Sequence, residues 1–176
     1  MKNLIVAMAV IGLVACARNM DSGSALAVVN GGFEQASSDG SIPGWTTEQH
    51  AGPVSYEMVI DDQGTYADHG SFRMTRSHDE VYGALTQDIV VDKAGGVVEL
   101  SAMLRSRDVG PQGWGLMISI PRLREFSPKL TGTSDWQRVK VRATLPPGTS
   151  SVTIGVILLD GGSGWMDDVQ VKAIAR

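Results

Sequence analysis

"GSGWMDDVQV", residues 162–171, alternates as a β-strand does, with Trp165, Asp167, Val169 and Val171 on one side and Met166, Asp168 and Gln170 on the other. If one side packs on a core, one of two adjacent acids must turn inward. A bare carboxylate taken out of water is costly unless hydrogen bonds or a cation compensate it, so what Asp167 meets is a question about the fold. The same period of two recurs along the chain. Val54, Tyr56, Met58 and Ile60 form one series, Val98, Leu100, Ala102 and Leu104 a second, Trp114, Leu116, Ile118 and Ile120 a third, and Val139, Val141, Ala143 and Leu145 a fourth. The run "SVTIGVILL" (151–159) is apolar on both sides, as a central strand would be. Between these runs stand turn-forming clusters, "SSDGSIPG", "DVGPQG" and "PPGTS", and no stretch has helical amphipathic spacing. The pattern predicts an all-β protein, a jelly-roll β-sandwich of about eight or nine antiparallel strands.

The chain has 176 residues, 43% of them hydrophobic and 19% charged, which suits one folded domain. Its beginning is different in kind. An unbroken run of twelve apolar or small residues, Leu4 to Ala15, follows Lys2 and ends at Cys16. As a helix it would span roughly 18 Å, short of a bilayer core of about 30 Å, which is signal-peptide length. "LVAC" (13–16) resembles the lipobox of bacterial lipoprotein signals, in which the cysteine becomes lipidated. Cys16 is the single cysteine of the chain, which agrees with that role. The resemblance implies a signal peptide over 1–15, a lipid anchor on Cys16 and a tether over 16–25, with the folded domain at 26–176. By resemblance to the sorting rules of double-membraned bacteria, Ala17 after the cysteine implies the outer membrane. Loss of the signal would take the net charge from −4 to −5, which disfavours a nucleic-acid partner.

"NGGFEQ" (30–35) and "IPGW" (42–45) near the start, "YGALTQDIVV" and "VVELSAMLRSRDV" in the middle, and "GTSDWQRVKV", "LPPGTSSVTIGV" and "GSGWMDDVQV" towards the end occur in this order. The set resembles the carbohydrate-binding modules of the family 4, 9 and 22 group, with their galactose-binding-like jelly roll. The resemblance implies that the first and last strands meet and that Glu34 and Asp167 share a structural Ca²⁺. The other reading of the two acids is that they accept hydrogen bonds from backbone amides and hold no metal.

For function the resemblance implies a non-catalytic domain that binds a polysaccharide or glycan. The alternative is a structural or protein-interaction envelope lipoprotein that uses the same sandwich without sugar. No nucleophile elbow or metalloprotease helix is present, and no cysteine is left after lipidation. Of the ten aromatic residues, Phe33, Phe72 and Trp165 fall on inward faces, and Trp45 resembles a position that packs under the sandwich in those modules. Tyr82 flanks a strand whose same-side neighbours are Ala84 and Thr86. Trp114 follows the "GPQG" turn, and Arg105 points away from the Leu100 and Leu104 side. A shallow groove bordered by Tyr82, Arg105 and Trp114 is the expected sugar site. Residues 121–135 read as a long basic loop around Phe126. Arg138, Lys140 and Arg142 form a stripe beside Trp136, either a solvated face or a contact for anionic lipid or acidic polysaccharide.

Overall fold

The structure, a computed structural model, describes residues 23–174 apart from 51, 68, 93 and 94, so the signal segment and Cys16 lie outside the described residues. Ten strands are found among the described residues, and no helix. They are β1 (Ser24–Leu26), β2 (Thr46–Gln49), β3 (Tyr56–Asp61), β4 (Ser71–Arg76), β5 (Gly83–Val90), β6 (Gly96–Ile120), β7 (Leu123–Phe126), β8 (Leu130–Leu145), β9 (Ser151–Leu158) and β10 (Ser163–Ile174). Every pairing is antiparallel. β1 takes in Ser24 and Ala25, two residues expected in the tether, because their backbone pairs with Ala173 and Lys172 of β10.

β6 joins the two layers of the sandwich. Its first half lies between β10 and β8, giving a layer ordered β3-β4-β10-β6-β8, and its second half lies between β9 and β7, giving β2-β5-β9-β6-β7. The "DVGPQG" cluster does not end the strand. It carries the irregular register between Val109 and Trp114, with Asp108 and Gly113 at positive φ, where β6 leaves one layer for the other. Residues 121–135 are likewise no loop. They form β7 and the start of β8, paired back onto β6 through Met117–Phe126 and Trp114–Leu130.

The period-two series predict the core. Val98, Leu100, Ala102 and Leu104 face Val139, Val141, Ala143 and Leu145 across one layer, and Leu116, Ile118, Ile154 and Val156 come from the other. Val54 is the exception, exposed ahead of β3. Phe33 packs against Trp45 and Phe72, with ring centroids 5.4 and 5.8 Å away, and Phe72 stacks on Trp114 at 6.4 Å.

β10 departs from strict alternation. Its register on β6 shifts between Asp167 and Gln170, and Asp168 takes a φ of 47°. This is a β-bulge, in which one extra residue reverses the phase of the pleat. Met166, Val169 and Val171 therefore face the core together, whereas Trp165 and Asp167 face outward. The expectation that Trp165 shares an inward face with Val169 and Val171 is corrected. Trp165 is buried from outside, under Arg105 and Arg107, whose guanidinium carbons lie 5.0 and 5.3 Å from its ring centroid.

Candidate ligand-binding site

The expected groove of Tyr82, Arg105 and Trp114 does not form. Trp114 is fully buried, 0% exposed, and its Nε1–H donates to the Trp165 carbonyl at 3.3 Å. The cause is the pleat, since Trp114 is in phase with Leu116 and Ile118 and must enter the core with them. Leu100 and Leu104 face the core as expected, so Arg105 projects outward from the β3-β4-β10-β6-β8 layer. Tyr82 packs instead on Ala84, Met117 and Ile157, outside the other layer. The sandwich separates Arg105 from Tyr82.

Around Tyr82 the register builds a different surface. The outward side chains of β2-β5-β9-β6-β7 stand in three rows across the strands. The first is Glu48, Ala84, Ile157 and Gly115. The second is Thr46, Thr86, Gly155, Met117 and Phe126. The third is Asp88, Thr153, Ser119 and Arg124. Two glycines, an alanine and small hydroxyl residues thus fill much of the floor. Gly155 is required there, because a Cβ would run into the Leu85 carbonyl of β5. Although they point outward, Ala84, Thr86, Met117 and Ile157 are only 1, 4, 6 and 6% exposed, so the face is recessed.

Its rim is aromatic and polar. Tyr82 is half-buried at one end, its ring 6.1 Å from His50, and Phe126 is exposed across the floor, with Lys129 Nζ 5.6 Å from its ring centroid. Glu48 accepts a 2.8 Å hydrogen bond from Thr86 Oγ1, and Asp88 accepts one of 2.7 Å from Thr153 Oγ1. Beside these residues the face opens into a hollow of about 630 Å³, lined by Thr46, Glu48, Thr86, Asp88 and Thr153 among others. Apolar floor, flanking rings and fixed acceptors suit a flat, hydroxyl-bearing ligand.

Glu34 and Asp167 do come together, on either side of one segment. Asp167 Oδ2 accepts from the Tyr66 and Ala67 amides, both at 3.2 Å, and its Oδ1 from the Asp168 amide at 2.6 Å. Glu34 accepts from the amides of His69 and Gly70 at 3.3–3.4 Å. Burial pushes the Asp167 carboxyl above its usual range, the amide bonds pull it down, and the nearby Glu34 charge adds to the rise. Asp167 is thus buried on the outward side of β10, and amide hydrogen bonds compensate its carboxylate there. Carboxylate oxygens are the hard donors that calcium takes, about six to eight oxygens making up its shell. Among the described residues no group of three or more His, Cys, Asp or Glu converges as a metal site.

No family model and no curated protein matches the sequence. The fold, however, is similar to that of solved structures. The family 61 module TmCBM61, solved with β-1,4-galactotriose, is 16% identical with a TM-score of 0.56, over 84% of this chain and 98% of that one. The CBM22-1 xylan-binding domain of Paenibacillus barcinonensis Xyn10C is 14% identical with a TM-score of 0.56, over 88% of this chain and 97% of that one. The sandwich is thus similar in fold to these carbohydrate-binding modules. The same fold recurs within the enzymatically active domain of tailspike protein 4 of bacteriophage CBA120, at 15% identity and a TM-score of 0.64, where 85% of this chain spans 21% of that one.

Sequence reasoning found Tyr82 with its same-side neighbours Ala84 and Thr86, and missed Glu48, Asp88 and the role of Phe126. The signal was present in "ALTQD" (84–88), where Ala84, Thr86 and Asp88 share one parity. Phe126 was hidden because β7 reads as part of a loop.

Proposed function

We propose that the chain is a non-catalytic carbohydrate-binding domain and that a polysaccharide strand lies along the outward face of the β2-β5-β9-β6-β7 layer. The observation that carries this is the recessed floor of Ala84, Gly115, Gly155 and Ile157 between Tyr82 and Phe126, with Glu48, Asp88 and Thr153 as hydrogen-bonding groups. The galactotriose and xylan bound by the two modules of similar fold make β-linked neutral polysaccharides the first ligands to try. An open groove with a few stacking and polar contacts gives dissociation constants of roughly micromolar to millimolar, about −4 to −8 kcal/mol.

The acids of this face serve as hydrogen-bond acceptors, which supports a binding role: Glu48 accepts from Thr86 Oγ1 and Asp88 from Thr153 Oγ1. The domain is carried on a bacterial envelope by lipid on Cys16, on the strength of "LVAC" and the apolar run before it. A calcium ion held by Glu34 and Asp167 would pin the segment between them, its charge offsetting their repulsion.

Affinity electrophoresis in gels containing β-1,4-galactan or xylan tests the groove. Phe126→Ala and Tyr82→Ala are expected to weaken retardation tenfold or more while the melting temperature changes little. A wild-type protein retarded by neither gel, or variants retarded as strongly as the wild type, would refute the site.

A further inference from the structure

The opposite face of the molecule carries an unbalanced pair of cations. On the outward side of the β3-β4-β10-β6-β8 layer most charges are matched. Arg73 meets Glu57 at 3.1 Å and Asp61 at 3.3 Å, Arg138 pairs with Asp168, and Lys140 and Arg142 pair with Glu99 at 3.1 and 2.6 Å. Each cation of the stripe Arg138, Lys140 and Arg142 thus has an acidic partner, Glu99 serving two of them. Arg105 and Arg107, one pleat apart on β6, have no ion-pair partner among the described residues and rest only on the Trp165 ring. That ring is itself held in place, since its Nε1–H donates to Asp61 at 2.8 Å. Arg107 is exposed and Arg105 half-buried, so both can be reached from solvent.

An aromatic pair stands on the same side. Trp136 shares its pleat phase with Arg138 and Lys140, and its ring centroid lies 5.9 Å from that of Tyr66, which is 46% exposed. Trp136 precedes Gln137, the cross-strand partner of Leu104, and Arg105 follows Leu104, so Trp136 and Arg105 emerge from neighbouring strands at the same level.

We propose that Arg105 and Arg107, fixed on Trp165 beside Tyr66 and Trp136, form a second ligand site that takes an acidic sugar unit of a polysaccharide, its carboxylate or sulfate on the guanidiniums and its ring against the aromatic pair. Two guanidiniums at a set spacing match a planar or tetrahedral oxyanion. A polysaccharide fits better than an anionic membrane, because the guanidiniums stand level with the Trp136 and Tyr66 rings, against which a sugar ring can lie, whereas a headgroup surface would use the charge alone. The site lies across the sandwich from the groove around Tyr82 and does not depend on it.

The test uses the full-length chain with four probes: polygalacturonate, dextran sulfate, neutral xylan, and vesicles containing phosphatidylglycerol. The site predicts binding to at least one acidic polysaccharide that weakens as salt rises and falls tenfold or more in Arg107→Ala, with an unchanged melting temperature. Arg105→Ala should act in the same direction. Retention on xylan should be unaltered by Arg107→Ala, so that failure of the neutral groove and failure of this site are read separately. No binding to either acidic polymer, binding that ignores Arg107→Ala, or Arg107-dependent capture by vesicles without binding to the polymers would each overturn it.

Discussion

Trp114 shows how much one side chain's phase decides. It fills the core between Phe72 and the backbone of β10, and Gly164 is a glycine because a Cβ there would meet the Trp114 indole. Trp114→Ala should cost about 3–5 kcal/mol, as truncation of a buried aromatic does, read as a shift of the urea midpoint at constant slope. A loss under about 1 kcal/mol would mean that the indole is not core. Glu99 makes a second residue-scale prediction. Its carboxyl is almost wholly buried, which alone would raise its pKa, but hydrogen bonds from Arg142 and Lys140 outweigh burial and hold it below the usual carboxylate value of 4.5. A carboxyl with a depressed folded pKa stabilises the fold above its unfolded pKa, and that stabilisation fades as pH falls through the folded value. Glu99→Gln should therefore be less stable than wild type at neutral pH, by about 1–2 kcal/mol given its half-exposed partners. The difference should close as acid is added below pH 4.5, followed by thermal unfolding across pH 7 to 3.

At the scale of the element, β10 marks the boundary of what the sequence reveals. Alternation in Val98–Leu104, Trp114–Ile120 and Val139–Leu145 was legible because each series is in regular register with its neighbour and buries one face. In β10 the alternation breaks at Asp168, and a bulge leaves no hydrophobic signature of its own, since the residue it inserts is polar and the series resumes one step out of phase. The same limit hid β7, whose "LREF" is too short and too charged to display a period. The bulge is testable through Asp168, which adopts the left-handed region that Asp and Gly tolerate and β-branched residues do not. Asp168→Val should destabilise by about 1–3 kcal/mol, measured by denaturant unfolding, and by more than Asp168→Gly, which loses the Arg138 ion pair but keeps the backbone free. Equal losses in the two variants would place the cost in the ion pair and not in the bulge.

At the scale of the whole molecule, closure of the sandwich brings the carboxylates of Glu34 and Asp167 to the amides of Tyr66, Ala67, His69 and Gly70, and separates two outward faces of opposite character. The pairing of Glu34 with Asp167 was legible only through resemblance, because nothing in local spacing relates two acids 133 positions apart. If calcium sits between them, added calcium should raise the melting temperature and a chelator lower it, since a ligand bound by the native state alone stabilises it by mass action. Asp167→Ala should abolish both responses, and a melting curve indifferent to calcium and chelator would leave the amide hydrogen bonds as the whole account. At the other end, Cys16→Ser should release the protein from the membrane fraction and end palmitate labelling. Unchanged fractionation with no label in the wild type would remove the lipid anchor. The central claim is that neutral glycan lies on the face floored by Ala84, Gly115 and Gly155. Its most direct test is NMR mapping of backbone amides during titration with xylan- and galactan-derived oligosaccharides. Saturable shifts are expected at Ala84, Thr86, Gly115, Met117 and Gly155, with Arg105, Trp165 and Val169 unmoved. Shifts confined to β10 and the first half of β6, or none at millimolar ligand, would contradict it.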